Sequence, residues 1–332
     1  MRAAVFHEHG GVEKLRVEQV RDPVCGPGDV VLAVKAVALN GFEPMILQGT
    51  TALRTPFPMI PGGDAAGEIV ELGAEVEGWA VGDRVGFYPM VPGEGMTGET
   101  RQGALSELHR VPAASLIRLP DGLAHTDAAA LPIAYGTALR MMRDRGRIRA
   151  GETVLILGAA GGVGTACVQL AKAAGATVIA CASAAWKLER LQALGADHVV
   201  DTSTTDVRQW VWDQFGKPRM GQSGGVDVVV NYIGGESWGE SLRMIAPGGR
   251  MLVCGATAGY ACATDARYVW TYEISIVGSN GWRPEDQAEM YRMAAHGEIA
   301  PVIDGVHPLD EIAPVMQRLI DRDFFGKLVL VP

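Results

Sequence analysis

The chain has 332 residues, 48% hydrophobic and 20% charged, with 43 Gly against 18 Pro. That length and mixture exclude a disordered, collagen-like or coiled-coil chain and predict a globular protein of two domains, or of one domain interrupted by another. The formal net charge of −9 gives no general attraction for phosphate backbones or anionic lipids, so neither nucleic acid nor a membrane is expected as partner, although a local basic pocket for one small phosphate stays open.

No apolar run approaches the roughly 20 residues that cross a bilayer, and the first residues, Met1-Arg2-Ala3-Ala4-Val5-Phe6-His7-Glu8, lack the apolar core of a secretory signal. The cytoplasm is the expected compartment. Five cysteines, Cys25, Cys167, Cys181, Cys254 and Cys262, are scattered without a C-x-x-C pair. They predict neither a disulfide framework nor a structural zinc module, and read as small apolar residues.

The first 120 or so residues are short β-rich pieces separated by turns. Asp29 to Ala38 and Ala66 to Leu72 read as strands, and Gly82-Asp83-Arg84-Val85-Gly86 turns into another. From about Gly151 the texture changes to apolar strands alternating with helical segments, through TVLILG, Val163 to Ala174, TVIACA, Trp186 to Leu194, HVVD, Thr205 to Phe215, VDVVVNYI, Ser237 to Ile245 and RMLVCGA. Such alternation requires parallel strands joined by crossover helices. The run Val228-Val229-Val230 lacks polar alternation, as strands covered on both faces do. Two further helical segments, Pro284 to Ala295 and Leu309 to Asp321, lead to a closing strand, LVLVP, which is expected to return to the β-rich domain. The stretch Gly216 to Gly225 reads as a surface loop.

The strongest chemical signal is Gly158-Ala159-Ala160-Gly161-Gly162-Val163-Gly164, directly after the strand TVLIL and directly before an Ala-rich helix. Glycines let the backbone turn tightly and approach a pyrophosphate, and the helix N-terminus offers free N–H groups and positive dipole. This is the order that a dinucleotide site needs, with Gly161 and Gly164 nearest the phosphates. The ribose selector should stand about 20 residues further on, at the end of the next strand. Ser183 and Lys187 occupy that region, and no Asp or Glu is present to repel a 2′-phosphate. NADPH is therefore expected over NADH, with Ser183 donating a hydrogen bond and Lys187 supplying a point charge.

With the glycine turn, the residues Val81-Gly82-Asp83-Arg84-Val85, Gly103-Ala104-Leu105-Ser106-Glu107, Ala130-Leu131-Pro132, Gly136-Thr137-Ala138, Leu194-Gly195-Ala196-Asp197 and Gly326-Lys327 give the whole chain a resemblance. It resembles the medium-chain dehydrogenase/reductase superfamily and, within it, the zinc-independent quinone and enoyl reductases. The resemblance implies an α/β fold in which a Rossmann doubly wound parallel sheet (residues 123–296) is inserted into a GroES-like β-rich catalytic domain (residues 1–122 with 297–332). A cleft between the domains and a homodimer joined through Rossmann sheet edges are implied as well.

Zinc-dependent members carry a Cys in the first domain, a Gly-His-Glu motif and a four-cysteine loop. This sequence has Asn40 in Leu39-Asn40-Gly41-Phe42, Gly62-Gly63-Asp64 in place of Gly-His-Glu, and a cysteine-free segment from Tyr88 to Gly103. Of the usual zinc donors only Asp64 remains, so no metal is expected. His109 and His198 are expected to be packing or surface residues.

Thr264-Asp265-Ala266-Arg267-Tyr268-Val269-Trp270 followed by Ile276-Val277-Gly278-Ser279-Asn280 is similar to the corresponding stretch of crotonyl-CoA carboxylase/reductases. That likeness makes an enoyl thioester a plausible substrate. Those enzymes carry a His where Asn280 stands, so simple reduction is expected rather than carboxylation. Arg267 is left between two roles, anchoring coenzyme A and holding a dimer edge.

Without a metal to polarise an alcohol oxygen, reduction of an activated C=C bond is the less demanding chemistry. Hydride adds to the β-carbon of a quinone, enone or enoyl thioester, and donors at the carbonyl oxygen stabilise the enolate that forms. Asn40 is the first candidate donor, with a turn-capping role as its alternative, and Tyr88 is the second. The tyrosine that many relatives place a few residues beyond the Asn is missing, Met45 and Leu47 standing there, so no proton donor is assigned. By resemblance Thr137, Gly255, Ala256, Ser279 and Asn280 line the nicotinamide half of the cofactor, and Lys327 lies near its phosphates or ribose. A zinc-free NADP-linked alcohol or aldehyde dehydrogenase and a non-catalytic NADPH-binding protein remain as alternatives.

Overall fold

The structure, a computed structural model, describes residues 1–51 and 53–332. Two compact units divide the chain, Met1–Ala134 with Arg283–Pro332, and Tyr135–Trp282.

The first unit is built on a seven-stranded sheet. Its order is Ile303–Pro308, Lys327–Val331, Asp29–Ala38, Asp64–Leu72, Arg84–Phe87 and Leu116–Arg118, with Leu108–Pro112 also paired to Asp29–Ala38. The closing strand Lys327–Val331 thus returns to the β-rich unit, antiparallel to Asp29–Ala38 with Val329 opposite Ala38. Asp29–Ala38 is buried along most of its length, because Val30, Leu32, Val34 and Val37 enter one core with Ile69, Val85, Leu328 and Leu330. Ile312, Val315, Met316 and Leu319, spaced as one face of the helix Ile312–Ile320, close the same core.

The unit bounds differ from the expected 123–296 at both ends, for a packing reason. The helix His125–Ala130 buries Ala128, Ala129 and Ala130, small enough to lie directly on the strands Asp29–Ala38 and Asp64–Leu72. From the helix Pro284–Ala295, Gln287 Nε2 donates to the Phe87 carbonyl at 3.0 Å and to the Tyr291 hydroxyl at 2.8 Å. Gly86 makes room for that hydroxyl, since a Cβ there would lie 2.2 Å from it. The expected bounds place both helices in the inserted domain, but their buried partners belong to the first unit.

The second unit carries a six-stranded sheet in the order His198–Asp201, Thr177–Ala182, Thr153–Ile156, Val226–Val230, Ile245–Val253 and Ser275–Gly278. Every neighbouring pair is parallel. Numbered along the chain this is 3-2-1-4-5-6, the Rossmann order, whose ligand crevice lies beyond the C-terminal ends of the strands. Leu155, Ile179, Cys181, Val229 and Met251 form its core. His198 packs edge-on against Trp210 and Phe215, at 5.6 and 5.8 Å between ring centroids. Cys167 and Cys181 are buried, while Cys25, Cys254 and Cys262 are partly exposed. Among the described residues no helix is long and apolar enough to cross a membrane.

Candidate functional sites of the two units

In the second unit the chain leaves Thr153–Ile156 and turns at Gly158, whose φ of +66° is costly for any residue with a side chain. The Tyr232 hydroxyl donates to the Gly158 carbonyl at 2.7 Å and steadies the turn. The helix Gly162–Ala173 follows, with Gly161 as N-cap and no capping side chain on its leading N–H groups, the Thr165 hydroxyl donating instead to the Gly161 and Gly162 carbonyls at 3.1 Å. Its leading N–H groups therefore face outward as an anion site. A Cβ at Gly161 would find only the Gly158 carbonyl, 3.9 Å away, so this position is open to a close-approaching ligand. Gly164 serves a different purpose, because a Cβ there would lie 2.6 Å from the backbone of Ala159 and push the helix off the strand. Ala160 is buried behind the turn, and Gly162 and Val163 are half-buried in it.

Apart from Lys327, the remaining positions expected of the cofactor site also lie in this unit. Ser183 is exposed at the end of the strand Thr177–Ala182. Lys187 sits in the first turn of the helix Ala185–Ala193, with Nζ 5.2 Å from the centre of the Trp186 ring. Arg190, absent from the sequence reading, approaches the same ring at 6.0 Å. Gly255 and Ala256 follow the fifth strand and Ser279 and Asn280 the sixth, joined where Ser279 N–H donates to the Val253 carbonyl at 2.8 Å. The Ser279 hydroxyl is buried with no hydrogen-bond partner among the described residues. Such an orphan is what a bound ligand would satisfy. Thr137 is half-buried on the helix Pro132–Leu139. An open glycine cradle, an uncapped helix N-terminus and an unpaired buried hydroxyl at the strand C-termini together fit a dinucleotide.

The first unit holds a different kind of site. The pairing that sets Val329 opposite Ala38, extended by the Leu39 N–H to Leu328 carbonyl bond of 2.9 Å, places Lys327 across from Asn40. On the other side of the same strand Asp64 stands opposite Ala38. Asn40, Glu43, Asp64 and Lys327 are consequently buried together, at 7, 0, 1 and 2% exposure. Lys327 Nζ donates to Asn40 Oδ1 and lies 3.6 Å from Asp64 Oδ2. Asn40 Nδ2 donates to Asp64 Oδ2 at 3.0 Å and meets the Ala38 carbonyl at 3.5 Å. The Ile133 N–H donates to both Asp64 oxygens, at 3.1 and 3.2 Å. Glu43 accepts from the Asn40 N–H at 2.7 Å and the Gly63 N–H at 3.4 Å.

Burial is the leading influence on all three ionisable groups. It raises Glu43 to about 8 against the relief offered by Lys327, and raises Asp64 to about 6 against Lys327 and the Asn40 amide. It lowers Lys327, opposed by the two carboxylates. At neutral pH Glu43 therefore keeps its proton, and the cluster reduces to one Asp64–Lys327 ion pair. His109 is likewise a packing residue, tilted against Phe87 at 5.2 Å and lowered to about 4 by burial.

This donor set does not fit a tetrahedral metal ion. An ammonium already stands among the oxygens, and a Cβ at Gly63, which stands in place of the motif histidine expected of a zinc-dependent member, would meet Ile133, Phe42 and the Thr97 carbonyl at 3.0 to 3.1 Å. No group of three or more His, Cys, Asp or Glu poised for a metal occurs among the described residues.

Two placements depart from expectation. Lys327, assigned by resemblance to the cofactor phosphates or ribose, has its ammonium committed to Asn40 and Asp64 inside the first unit. Glu43 carries no sequence signal beyond its distance of three residues from Asn40, and Asp64 enters from the sequence only as the one remaining zinc donor. Asn40 is not a turn cap, its side chain being held by Asp64 and Lys327. Tyr88 is half-buried just beyond Arg84–Phe87, its N–H donating to the Ser115 carbonyl at 2.8 Å.

Fold and sites together define a nicotinamide-cofactor oxidoreductase, and comparison with known proteins agrees. The family described as alcohol dehydrogenase GroES-like domain matches residues 26–121, and that described as zinc-binding dehydrogenase matches residues 162–296. Acryloyl-coenzyme A reductase of Metallosphaera sedula is 30% identical over 99% of this chain and 99% of its own. Crotonyl-CoA reductase of Streptomyces avermitilis is 28% identical over 96% of this chain and 83% of its own. A solved structure of an NAD-dependent alcohol dehydrogenase matches with a TM-score of 0.92 and 33% identity over the whole of both chains. The chain belongs to the medium-chain dehydrogenase/reductase superfamily.

Proposed function

We propose that the protein is a zinc-independent, NADPH-dependent reductase of activated C=C bonds, with an enoyl thioester, enone or quinone as acceptor. The observation that carries this reading is the buried Asn40–Asp64–Lys327 cluster, an organic cation and a fixed amide where a metal-dependent relative would need metal ligands. Likeness over nearly full length to reductases named for acryloyl-CoA and crotonyl-CoA supports the thioester class.

A bound nicotinamide supplies the hydride. The chain's own tasks are to hold the dinucleotide, to position the acceptor and to meet the charge that develops on its carbonyl oxygen. Gly158 to Gly164 would take the pyrophosphate, and the Ser279 hydroxyl with Thr137, Gly255, Ala256 and Asn280 the nicotinamide half. Ser183 and Lys187, with Arg190 beside them, would take the adenosine 2′-phosphate. Asn40 has one amide hydrogen held by Asp64 and a second whose only described acceptor is 3.5 Å away. That second hydrogen is the donor for the acceptor's oxygen. Tyr88 is the second candidate donor. A homodimer fits the strand Ser275–Gly278, a sheet edge with Ile276 40% exposed.

Purified protein with NADPH should oxidise it in the presence of crotonyl-CoA, acryloyl-CoA, a small enone or a quinone, and do so faster than with NADH. Tight NADPH binding with no turnover on any acceptor would overturn the reading. Alcohol oxidation is the second reading, favoured by the match to the alcohol dehydrogenase structure, and NADP-linked turnover of primary and secondary alcohols tests it in the same assay.

A further inference from the structure

The Asn40 carboxamide has two ends of nearly equal shape and opposite polarity, so packing alone does not choose between its two orientations; hydrogen bonds must. Here the choice is forced. Lys327 has three donors and no acceptor, and it faces Oδ1. Ionised Asp64 has acceptors only, and it faces Nδ2 at 3.0 Å. Turning the amide over would set its NH2 against an ammonium and its oxygen against a carboxylate, exchanging two charge-assisted hydrogen bonds for two repulsions. Both locking groups are themselves anchored. Asp64 begins a sheet strand and accepts twice from Ile133 N–H, and Lys327 begins the closing strand with its N–H bonded to the Val302 carbonyl at 2.8 Å.

A buried ion pair is seldom the most stable filling for such a space, since apolar residues of similar volume often serve as well or better. Its worth lies in the geometry that it imposes. We infer that Lys327 is a positioning residue, which with Asp64 locks the Asn40 carboxamide in the one orientation that leaves an N–H for the acceptor's carbonyl oxygen. This deepens the reductase reading, on which the substrate-facing role of Asn40 rests. The lock itself can be read without turnover.

The chain has only three asparagines, Asn40, Asn231 and Asn280, so protein labelled selectively with [15N]asparagine shows three side-chain NH2 pairs. Asn40→Ala identifies the pair that belongs to residue 40. In the full-length protein saturated with NADPH this pair should be well separated and exchange slowly with solvent. In Lys327→Met the separation should collapse and exchange should rise at least tenfold, while NADPH affinity, followed by its fluorescence, changes less than twofold. An Asn40 pair unchanged in Lys327→Met overturns the lock, whatever the acceptor. A large loss of NADPH affinity also overturns it, and returns Lys327 to the cofactor.

If the unpaired Asp64 prevents Lys327→Met from folding, the charge-balanced Asp64→Asn/Lys327→Met variant makes the same test and should show the same loosened pair. With an active acceptor, Lys327→Met should lower kcat about 10²-fold with KM within threefold, and on an Asn40→Ala background should lower it no further. Multiplying effects would mean that Lys327 acts independently of Asn40, against the inference. A locked pair in an enzyme silent toward every acceptor would sink the reductase reading and leave the lock standing.

Discussion

The glycine turn of the second unit and the polar cluster of the first are both built for charge, and they reach that end by opposite routes. The turn uses backbone. Seven consecutive residues, Gly158 to Gly164, place N–H groups and helix dipole at one point, and no side chain is needed. The cluster uses side chains drawn from positions 40, 43, 64 and 327, with a backbone N–H from 133, and it buries them almost completely. A site made of local backbone is robust to everything except a Cβ, whereas a site made of distant side chains depends on the register of three strands.

The sharpest way to break the comparison is Gly164→Val. Its Cβ would fall 2.6 Å from Ala159 backbone atoms that cannot move without the strand, so dinucleotide affinity should fall more than 100-fold and stability by about 3 kcal/mol. Gly161→Ala is the control, with open space around its Cβ; urea unfolding of the ligand-free protein should barely change while NADPH titration weakens. In the other unit Gly63→His restores the residue type of a metal ligand, but Phe42, Ile133 and Thr97 already occupy its space. It should cost about 2 kcal/mol in urea unfolding and gain no zinc by metal analysis. Unaltered stability with stoichiometric zinc would refute the account of the cluster as a filled site.

The cluster should also answer to pH where the turn cannot. Glu43 keeps its proton in the folded protein up to about 8 but loses it near 4.5 when unfolded. The folded state therefore binds more protons between those values, and stability falls as pH rises from about 4.5 to about 8, by at most about 1.4 kcal/mol per pH unit. Asp64 adds to the acid end of that window, from 3.8 to about 6. Glu43→Gln should flatten the melting temperature across pH 6 to 8, and an unchanged slope would remove Glu43 as its source. The smallest effect belongs to Lys187→Ala, expected to weaken NADPH binding about tenfold, or about 1.4 kcal/mol, and to leave NADH untouched. Equal losses for both cofactors would deny it a role in reading the 2′-phosphate.

Much of the fold was legible for the same reason that the turn was. Alternating apolar strands and helices name a parallel sheet, and the strands predicted from TVLILG to RMLVCGA appear in that sheet. The domain bounds were less legible, because the helices His125–Ala130 and Pro284–Ala295 look like linker-flanked pieces of either unit until Tyr291 is seen filling the space above Gly86. Asn40 could be singled out by its place in a familiar pattern. Asp64 and Lys327 stand in such patterns too, but that they and Glu43 are its partners could not be read, since these residues carry no shared spacing.

By itself, then, the sequence determined what depends on neighbours along the chain: the α/β class, the dinucleotide turn, and the missing cysteines and histidine of a metal site. Only the tertiary structure decided what depends on register. Antiparallel pairing of Val329 with Ala38 and of Ala38 with Asp64 brings an ammonium, an amide and a carboxylate from far apart in the chain to one buried point. Buried there together, each must satisfy the others, and that mutual requirement is the basis for proposing that Lys327 orients Asn40.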